Sequence, residues 1–387
     1  MLTQETVIEK TWDDDRLRDD RLAKLQAAMR EREVGALLLK DWVNALYAIN
    51  TRIPSGQTFV PAEGKPIAFT RPMDDGYVSM VGVETRPTIY LGNPSHDRDG
   101  EGRRRWAAAI SDLMVESGVG GRSLGVDTMD PEGTVALHEA GLKLMNARTI
   151  LQAAASVKTQ DEVLIYWQTG RIYDRVMRQF RDELQPGISE QQMINFIHSQ
   201  VVSMGGEGLL QINVCSGENT WPWRRWPTER RFQQGDLVGM DLHVHGPGGY
   251  VFDASRTYLC GEVGNEQQRE LYRRAVDYNN ACIGLLKPGL PIPEFVERLP
   301  KLPEKYQEAV YSFHIIHSNG LTPGEYPNVE KRHKIVDDVF KENQVLSLDC
   351  YFGEQDYHEA VKLEELVLLT RDGAAKMADM PYEDRLQ

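Results

Sequence analysis

Histidine and carboxylate side chains are concentrated in the second half of the chain, where six of the nine histidines lie between residues 243 and 358. In GMDLHVHGPGGYVFDASRT, Asp241, His243 and His245 precede the turn-forming GPGG, and Asp253 follows it. A three-residue turn at 246–248 predicts a hairpin in which Asp241 lies opposite Asp253, with both histidines on the same face. Because such groups repel or desolvate one another without a cation among them, the pattern predicts a metal site. The alternative is a set of solvated side chains on the wet face of the hairpin.

Three later residues could complete such a site. Asp349 in VLSLDCYF and Glu364 in VKLEELVLL lie in apolar, strand-like runs, where an unpaired carboxylate is costly. His317 in YSFHIIHSNGL precedes a glycine, which suits a ligand at the mouth of a pocket, and His314 competes with it for that role. Oxygen and nitrogen donors without a thiolate set suit divalent first-row ions, which polarise substrate oxygens and lower the pKa of bound water. No G-x-S-x-G, Walker or G-x-G-x-x-G motif indicates another chemistry.

Two predicted domains would position these residues. Residues 16–34 carry apolar side chains at helical spacing, and GALLLK, PIAFT, TIYLG and SLGVD are strand candidates between helical segments. Residues 1–152 are therefore predicted to form an α/β domain. From SVKTQDEV onward, long amphipathic helices are followed mainly by strands, so residues 153–387 are predicted to be α+β, with helices covering one curved, mostly antiparallel sheet.

Composition excludes several classes of protein. The net charge of −14, from 44 basic and 58 acidic residues, disfavours sequence-independent binding to nucleic acid. No apolar run approaches the 18 residues of a membrane helix, and the acidic start does not have the pattern of a signal peptide. We therefore expect a cytoplasmic protein with neither nucleic-acid nor membrane partners. Four cysteines without a C-x-x-C pair predict free buried thiols, and two disulfides are the alternative.

The order of these motifs resembles the creatinase, aminopeptidase P and prolidase superfamily. The pattern is Asp, then Asp in D-x-S-R-T, then His, an acid in a strand, and L-E before an apolar strand that ends in T-x-D-G; LQPGISE and LKPGLPIPE match as well. The resemblance implies a smaller creatinase-type α/β domain before a pita-bread domain, a homodimer, a small-molecule substrate and two divalent transition-metal ions such as iron, manganese or zinc. By matching position it assigns the metal ligands to Asp241, Asp253, His317, Asp349 and Glu364.

Three departures from the peptidase pattern bear on the activity. Peptidases of the superfamily have Glu where Asp349 stands, and the shorter side chain draws the carboxylate back from one metal position. They also carry a histidine where Gly324 stands beside Glu325. A second substrate-facing histidine is missing from CSGENTWPWRRWPTERR. Because these histidines are thought to hold the scissile carbonyl, their loss disfavours an Xaa-Pro peptidase.

The remaining features are similar to the dimethylsulfoniopropionate lyases of the DddP type. One extra residue separates the two hairpin acids, and a second potential ligand, His243, lies two positions after the first acid. This similarity implies His243 as an auxiliary metal ligand. It also implies Glu325 and His317 as catalytic residues, with Glu325 as the proton acceptor.

Candidate substrate-binding residues lie in TWPWRRWPTERR and just before His317. Two tryptophans of the first segment either serve ordinary packing or a dimer surface, or hold a sulfonium or quaternary ammonium group on their π faces. Two arginines there are either solvated surface charges or anchors for a substrate carboxylate. The candidates are Trp221, Trp223, Arg224, Arg225, Tyr311 and His314.

Three functions follow from the sequence as hypotheses. The first is a metal-dependent, non-peptidase enzyme that cleaves a small carboxylate-bearing substrate, as a carbon–sulfur lyase would. The second is an Xaa-Pro dipeptidase-like or aminopeptidase-like metallohydrolase, or another carbon–nitrogen hydrolase. The third is a metal-free, creatinase-like or binding-only relative, which the retention of all five potential ligands disfavours.

Overall fold

A computed structural model of the chain describes residues 10–53, 56–90, 92, 97–301, 303, 305–306, 315–330, 333–354 and 357–387. Contacts divide the chain into two units, Asp13–Ala155 and Ser156–Gln387, the second of which also takes in the described residues before Asp13. The domain limits expected from the sequence, 1–152 and 153–387, remain a prediction. Residue 152 itself lies inside a helix that ends at Ala155.

The first unit is built on a six-stranded mixed sheet. Its helices are α1 Asp14–Glu31, α2 Trp42–Ile49, α3 Pro72–Met80, α4 Glu101–Glu116, α5 Pro131–Glu139 and α6 Arg148–Ala155. Its strands are β1 Val34–Leu39, β2 Gln57–Pro61, β3 Ile67–Thr70, β4 Glu84–Pro87, β5 Ser123–Val126 and β6 Leu144–Asn146, in the sheet order β4-β3-β2-β1-β5-β6. Every residue of β1 is buried, as the apolar run GALLLK predicts.

Two segments of this unit differ from the sequence prediction. Residues 88–90 of TIYLG do not form a strand; the carbonyl of Tyr90 accepts from Gln57 Nε2, and the Tyr90 hydroxyl donates to Asp130. GTVALHEAGLKLM has the pattern of one helix throughout, but the helix ends at Glu139, because Gly141 adopts a φ of 83° and turns the chain toward β6.

The second unit has four helices and an eight-stranded sheet in the described residues. The helices are α7 Gln160–Glu183, α8 Glu190–Ser203, α9 Glu266–Leu285 and α10 Ile292–Arg298. The strands are β7 Gly208–Ser216, β8 Asp236–His245, β9 Val251–Cys260, β10 Ile316–Asn319, β11 Pro323–Val329, β12 Val345–Glu354, β13 Tyr357–Thr370 and β14 Gly373–Lys376. The order is β11-β10-β12-β13-β9-β8-β7, with β14 beside β13, and neighbouring strands pair antiparallel throughout the described part of this sheet.

The long helices pack on one face of this sheet. Residues of α9 such as Tyr278 share a buried apolar cluster with Leu348 of β12 and Leu363 of β13. On the same face, Tyr173 of α7 stacks on Phe252 of β9, with ring centroids 4.9 Å apart. Because successive strand residues point to opposite faces, the residues between these apolar positions project from the other face. That second face carries the polar site.

Capping boxes define the starts of three of these helices. Thr159 and Glu162 exchange side-chain and backbone hydrogen bonds at α7, as do Ser189 and Gln192 at α8. Asn265 begins α9 in the same way. Each box satisfies backbone amide groups that the first helical turn leaves without a partner. The start of each of these helices is therefore fixed by its local sequence.

The four cysteines are buried and free, as predicted. Among the described residues, no helix combines the length and the apolar character needed to cross a membrane.

Candidate metal centre

One row of directly opposed residues crosses five strands of the second sheet. Its members, from β7 through β8, β9 and β13 to β12, are Asn213, Asp241, Ser255, Glu364 and Asp349. Opposed side chains of an antiparallel sheet lie about 5 Å apart, so the register alone brings together acids that are up to 123 positions apart in the chain. Asp241, Asp349 and Glu364 thus meet as the sequence predicts.

The hairpin of β8 and β9 differs from its predicted register by two residues. Asp253 lies opposite His243, and Asp241 lies opposite Ser255. The turn spans five residues because Gly248 and Gly249 adopt φ values of 69° and 79°, which open a wider connection than the predicted three-residue turn. The shift is even, so both acids keep the predicted face.

His317 of β10 projects into the same group of acids. It lies opposite Ser347, two residues from Asp349 on the same face of β12. Its Nε2 is 3.6 Å from Asp253 Oδ2, 3.5 Å from Asp349 Oδ2 and 3.6 Å from Glu364 Oε1. The nitrogen and three carboxylate oxygens therefore converge on one small volume.

Lys362 was not among the predicted site residues, yet its ammonium group lies in the centre of the row. Nζ is 2.8 Å from Glu364 Oε2, 2.9 Å from Asp349 Oδ1, 3.1 Å from Asp241 Oδ1 and 2.7 Å from Ser255 Oγ. The signal was present in the sequence, because Lys362 precedes Glu364 by two positions and so shares its face of β13.

Two amides and a hydroxyl complete the surroundings of Asp241, and these residues were also missed. Gln211 Nε2 and Asn213 Nδ2 donate to Asp241 Oδ2 at 3.0 and 3.1 Å. Ser255 Oγ is 2.9 Å from Asp241 Oδ1 and 2.8 Å from Glu364 Oε2. The alternation of Gln211 and Asn213 within LLQINVCSG indicated that both share one face of β7.

Each of the three carboxylates around His317 directs its two oxygens to two different side chains. Asp349 and Glu364 direct one oxygen to Lys362 and the other toward His317. Asp253 directs Oδ1 to His243 Nε2, at 3.0 Å, and Oδ2 toward His317. Each acid is thus held by a protein donor on one side and left open on the other.

Burial and crowding shift the pKa values of these groups. Burial and then the charge of Glu364 raise the pKa of Asp253 to about 6. Burial also opposes ionisation of Glu364, but Lys362 and His317 outweigh it and hold the pKa of Glu364 well below its usual value. Burial lowers the pKa of His243, yet the Asp253 carboxylate outweighs burial and raises it. The site therefore carries more negative charge than its own cations neutralise easily.

These residues fit a divalent metal ion. Two groups have ligand atoms close enough to share an ion: Asp241, His243 and Asp253, and then Asp253, His317 and Glu364. Metal bonds of about 2.0–2.2 Å put neighbouring ligand atoms of one ion about 3.0–3.6 Å apart, which matches the distances around His317 Nε2. Glu364 Oε1 is buried without a hydrogen-bond partner among the described residues. A cation would supply the missing partner.

The acids open into a small cavity of about 170 Å³. Its described lining is Gln211, Asn213, Arg225, Asp241, His243, Asp253, His317, Pro323, Gly324, Asp349, Lys362 and Glu364. Sites for drug-sized ligands usually occupy 300–1,000 Å³, so this cavity suits a small molecule. His245 is not among these described lining residues.

The segment rich in tryptophan and arginine contributes one side chain to the cavity. Glu190, at the start of α8, anchors both ends of this segment by accepting from Ser216 N at 2.8 Å and Thr228 N at 2.9 Å. The exposed Arg225 lines the cavity, whereas Arg224 is not among its described lining residues.

Trp221 and Trp223 pack away from the cavity, against Tyr351. Their ring centroids lie 5.7 and 5.8 Å from that of Tyr351, and both indoles adjoin a small buried cluster with Ala360. Neither indole is among the described lining residues, which corresponds to the packing alternative. The candidates Tyr311 and His314 lie outside the described residues.

Glu325 is not among the described residues that line the cavity, although its neighbour Gly324 is. Glu325 Oε2 lies 3.4 Å from Nζ of the buried Lys158, and Oε1 is 3.4 Å from the backbone nitrogen of Thr322. The structure therefore brings the five expected ligands and His243 together but directs the expected proton acceptor elsewhere.

Comparison with known proteins identifies relatives of this arrangement. The model of metallopeptidase family M24 matches residues 165–371. The chain is 24% identical to the dimethylsulfoniopropionate lyase DddP of Roseovarius nubinhibens, over 96% of this chain and 87% of the relative. It is 22% identical to the Xaa-Pro dipeptidase of Pyrococcus furiosus, over 94% and 99% of the two chains.

Solved structures share the fold. The prolidase from Pyrococcus furiosus superposes with a TM-score of 0.77 at 18% identity, over 92% of this chain and 99% of that chain. The dipeptidase PepE from Mycobacterium ulcerans superposes with a TM-score of 0.79 at 20% identity, over 96% and 98%. These likenesses confirm the predicted pita-bread fold with its two-domain arrangement.

Divalent metal should stabilise the folded protein through Asp253. A ligand at 100 times its Kd adds about 2.7 kcal/mol, so saturating Mn²⁺ should raise the Tm of the metal-free protein by about 3 °C or more. Thermal unfolding followed by circular dichroism measures the shift, which Asp253→Asn should largely remove. Asp338→Asn, whose carboxylate accepts from Tyr326 elsewhere, is the control and should keep it. An equal shift in Asp253→Asn would contradict the site assignment.

Proposed function

The chain belongs to metallopeptidase family M24, and we propose that within it the protein is a metal-dependent enzyme of non-peptidase type. The proposed reaction is the cleavage of a small carboxylate-bearing substrate, as in a dimethylsulfoniopropionate lyase. Support comes from similarity to the DddP lyases along nearly the whole chain and from the cluster of potential ligands around His317. The metal ion and the ligand roles of Asp253, His317, Asp349 and Glu364 belong to this proposal, whereas the ligand roles of Asp241 and His243 stay predictions from the sequence.

The residues that line the cavity favour a lyase over a peptidase. Gly324 lines it where the peptidase pattern has a histidine, so no side chain is available there to hold a scissile carbonyl. The histidines among the described lining residues are His243 and His317. The small volume of the cavity also favours a compact substrate over an extended peptide.

The proposed elimination needs a carboxylate anchor and a base. Arg225, exposed at the cavity, can bind the substrate carboxylate through its guanidinium group. A divalent ion, when bound, supplies Lewis-acid chemistry that polarises the carboxylate and acidifies the neighbouring carbon. The base then takes the proton from that carbon, a carbon–carbon double bond forms, and the carbon–sulfur bond breaks with its electron pair leaving on the sulfide.

We assign the base to His243 in place of Glu325. His243 Nε2 lies 3.0 Å from Asp253 Oδ1, and Nδ1 has no hydrogen-bond partner among the described residues, so Nδ1 is the nitrogen that we assign to accept the proton. His243 lines the cavity, whereas the Glu325 carboxylate lies beside Lys158. The geometry of a His oriented by a carboxylate therefore supports this role better.

The second candidate is an Xaa-Pro dipeptidase-like hydrolase. The observation in its favour is that the described fold superposes on prolidases and dipeptidases over more than 90% of both chains. Structural similarity at 18–20% identity shows the fold alone. The residues that line the cavity therefore count for more in the choice between hydrolase and lyase. A homodimer in the cytoplasm stays a prediction from the sequence.

A direct comparison of two substrates tests the proposed reaction. We expect the metal-loaded protein to release dimethyl sulfide from dimethylsulfoniopropionate, measured by gas chromatography, at a kcat/KM at least 10-fold above that for Gly-Pro hydrolysis. Asp253→Ala should lose this activity together with its bound metal. Rapid cleavage of Gly-Pro without release of dimethyl sulfide would favour the hydrolase instead.

The proton acceptor can be identified with two matched variants. His243→Gln should lower kcat/KM by about 10²–10⁴-fold, because a positioned general base contributes about that factor. Glu325→Gln should change it less than about 10-fold, since its carboxylate lies outside the described cavity lining. Steady-state kinetics at saturating metal makes the comparison, and the reverse order of effects would return the role to Glu325.

Two neighbouring arginines provide a test of carboxylate binding. Arg225→Met should raise the KM of the carboxylate substrate by about 10-fold, since a charge-assisted hydrogen bond contributes about 1.5–3 kcal/mol and this one is partly screened by solvent. Arg224 is the neighbouring residue and is not among the described residues that line the cavity. Arg224→Met removes the same charge and should leave KM unchanged. Equal effects in both variants would indicate general electrostatic attraction only.

A further inference from the structure

The ammonium group of Lys362 occupies a position among the acids that a cation would be expected to fill. It lies within 2.7–3.1 Å of four oxygens, from Asp241, Ser255, Asp349 and Glu364. Its side chain is 2% exposed, so these contacts are shielded from water. The chain therefore supplies one positive charge of its own at the convergence of three carboxylates.

The half of the site around Asp241 is filled by donors of the protein. Asp241 Oδ1 contacts Lys362 and Ser255, and Oδ2 accepts from Gln211 and Asn213. Each oxygen thus has two potential donors within 3.1 Å. A metal ion in this half would have to displace these donors and share oxygens with an ammonium group. Because the ions of two-metal sites lie about 3.5–4 Å apart, that second ion and Lys362 compete for the same place.

The half of the site around His317 is different. Three carboxylate oxygens lie 3.5–3.6 Å from its Nε2, too far for good hydrogen bonds and at the spacing of atoms that share one ion. One of them, Glu364 Oε1, has no hydrogen-bond partner among the described residues. Asp349 and Glu364 connect this half to Lys362 through their other oxygens.

We infer that Lys362 takes the place of one of the two metal ions, and that the centre binds a single divalent cation beside His317. Asp349 and Glu364 then bridge a metal ion and an ammonium group instead of two metal ions. The shorter Asp349 is compatible with this arrangement, since it reaches Lys362 at 2.9 Å. The inference rests on the proposed function only in requiring that a metal binds.

Manganese binding to the full-length chain tests the inference without relying on activity. Equilibrium dialysis of the metal-free protein against excess Mn²⁺, followed by metal analysis, should give one ion per chain, with the six-line electron paramagnetic resonance spectrum of an isolated Mn²⁺. Lys362→Met removes the charge at similar length, and should raise the count from one ion to two with an exchange-coupled spectrum. Lys362→Arg keeps the charge and should stay at one.

A matched control and the opposing outcomes make the test decisive. Lys376→Met removes a lysine that pairs with Glu365 on the same sheet, and should leave the count at one. Two coupled ions in the unaltered protein would overturn the inference and leave the proposed function intact. No bound ion would overturn both, and a count of one in Lys362→Met would remove the role of Lys362. If circular dichroism shows that Lys362→Met does not fold, the count in the unaltered protein decides.

Discussion

Burying four carboxylates side by side is unfavourable unless cations lie among them, and the polar face of the second sheet is organised around that constraint. Asp241, Asp253, Asp349 and Glu364 are each at most 5% exposed in their side chains. Lys362 neutralises part of this charge, while burial and then the charge of Glu364 raise the pKa of Asp253. A divalent ion in the open volume beside His317 would neutralise the rest. Metal binding would thus complete a neutralisation of buried negative charge that Lys362 provides only in part.

The register of the antiparallel sheet makes this crowding possible. Acids from β8, β9, β12 and β13 meet because the strands pair at fixed offsets, while α7 and α9 pack on the opposite face. Sites built on strands hold their side chains more precisely than sites built on loops. The loop that Glu190 anchors supplies the more adaptable group, Arg225. In the proposed function, the strands would hold the metal ion and this loop would bind the substrate carboxylate.

Residue types and period-2 alternation were sufficient to predict that five ligand-type residues meet on one sheet, and the resemblance of the motif order to a known family implied the pita-bread fold. The pairing of Asp253 with His243 was not predictable, because the turn length depends on the backbone of Gly248 and Gly249. Lys362 was missed because a lysine in a strand is usually solvated, and its burial depends on three acids from other strands. The orientation of Glu325 toward Lys158 likewise depends on a contact between residues 167 positions apart.

The central inference is that a single exchangeable cation and the resident Lys362 ammonium group share the acids of this sheet. Crystals grown with Mn²⁺ and measured at the manganese absorption edge would test it most directly. We predict one anomalous peak per chain, coordinated by His317 and Glu364, with Lys362 still in contact with Asp241. Two peaks per chain, or one peak at Asp241 with Lys362 displaced, would contradict the account.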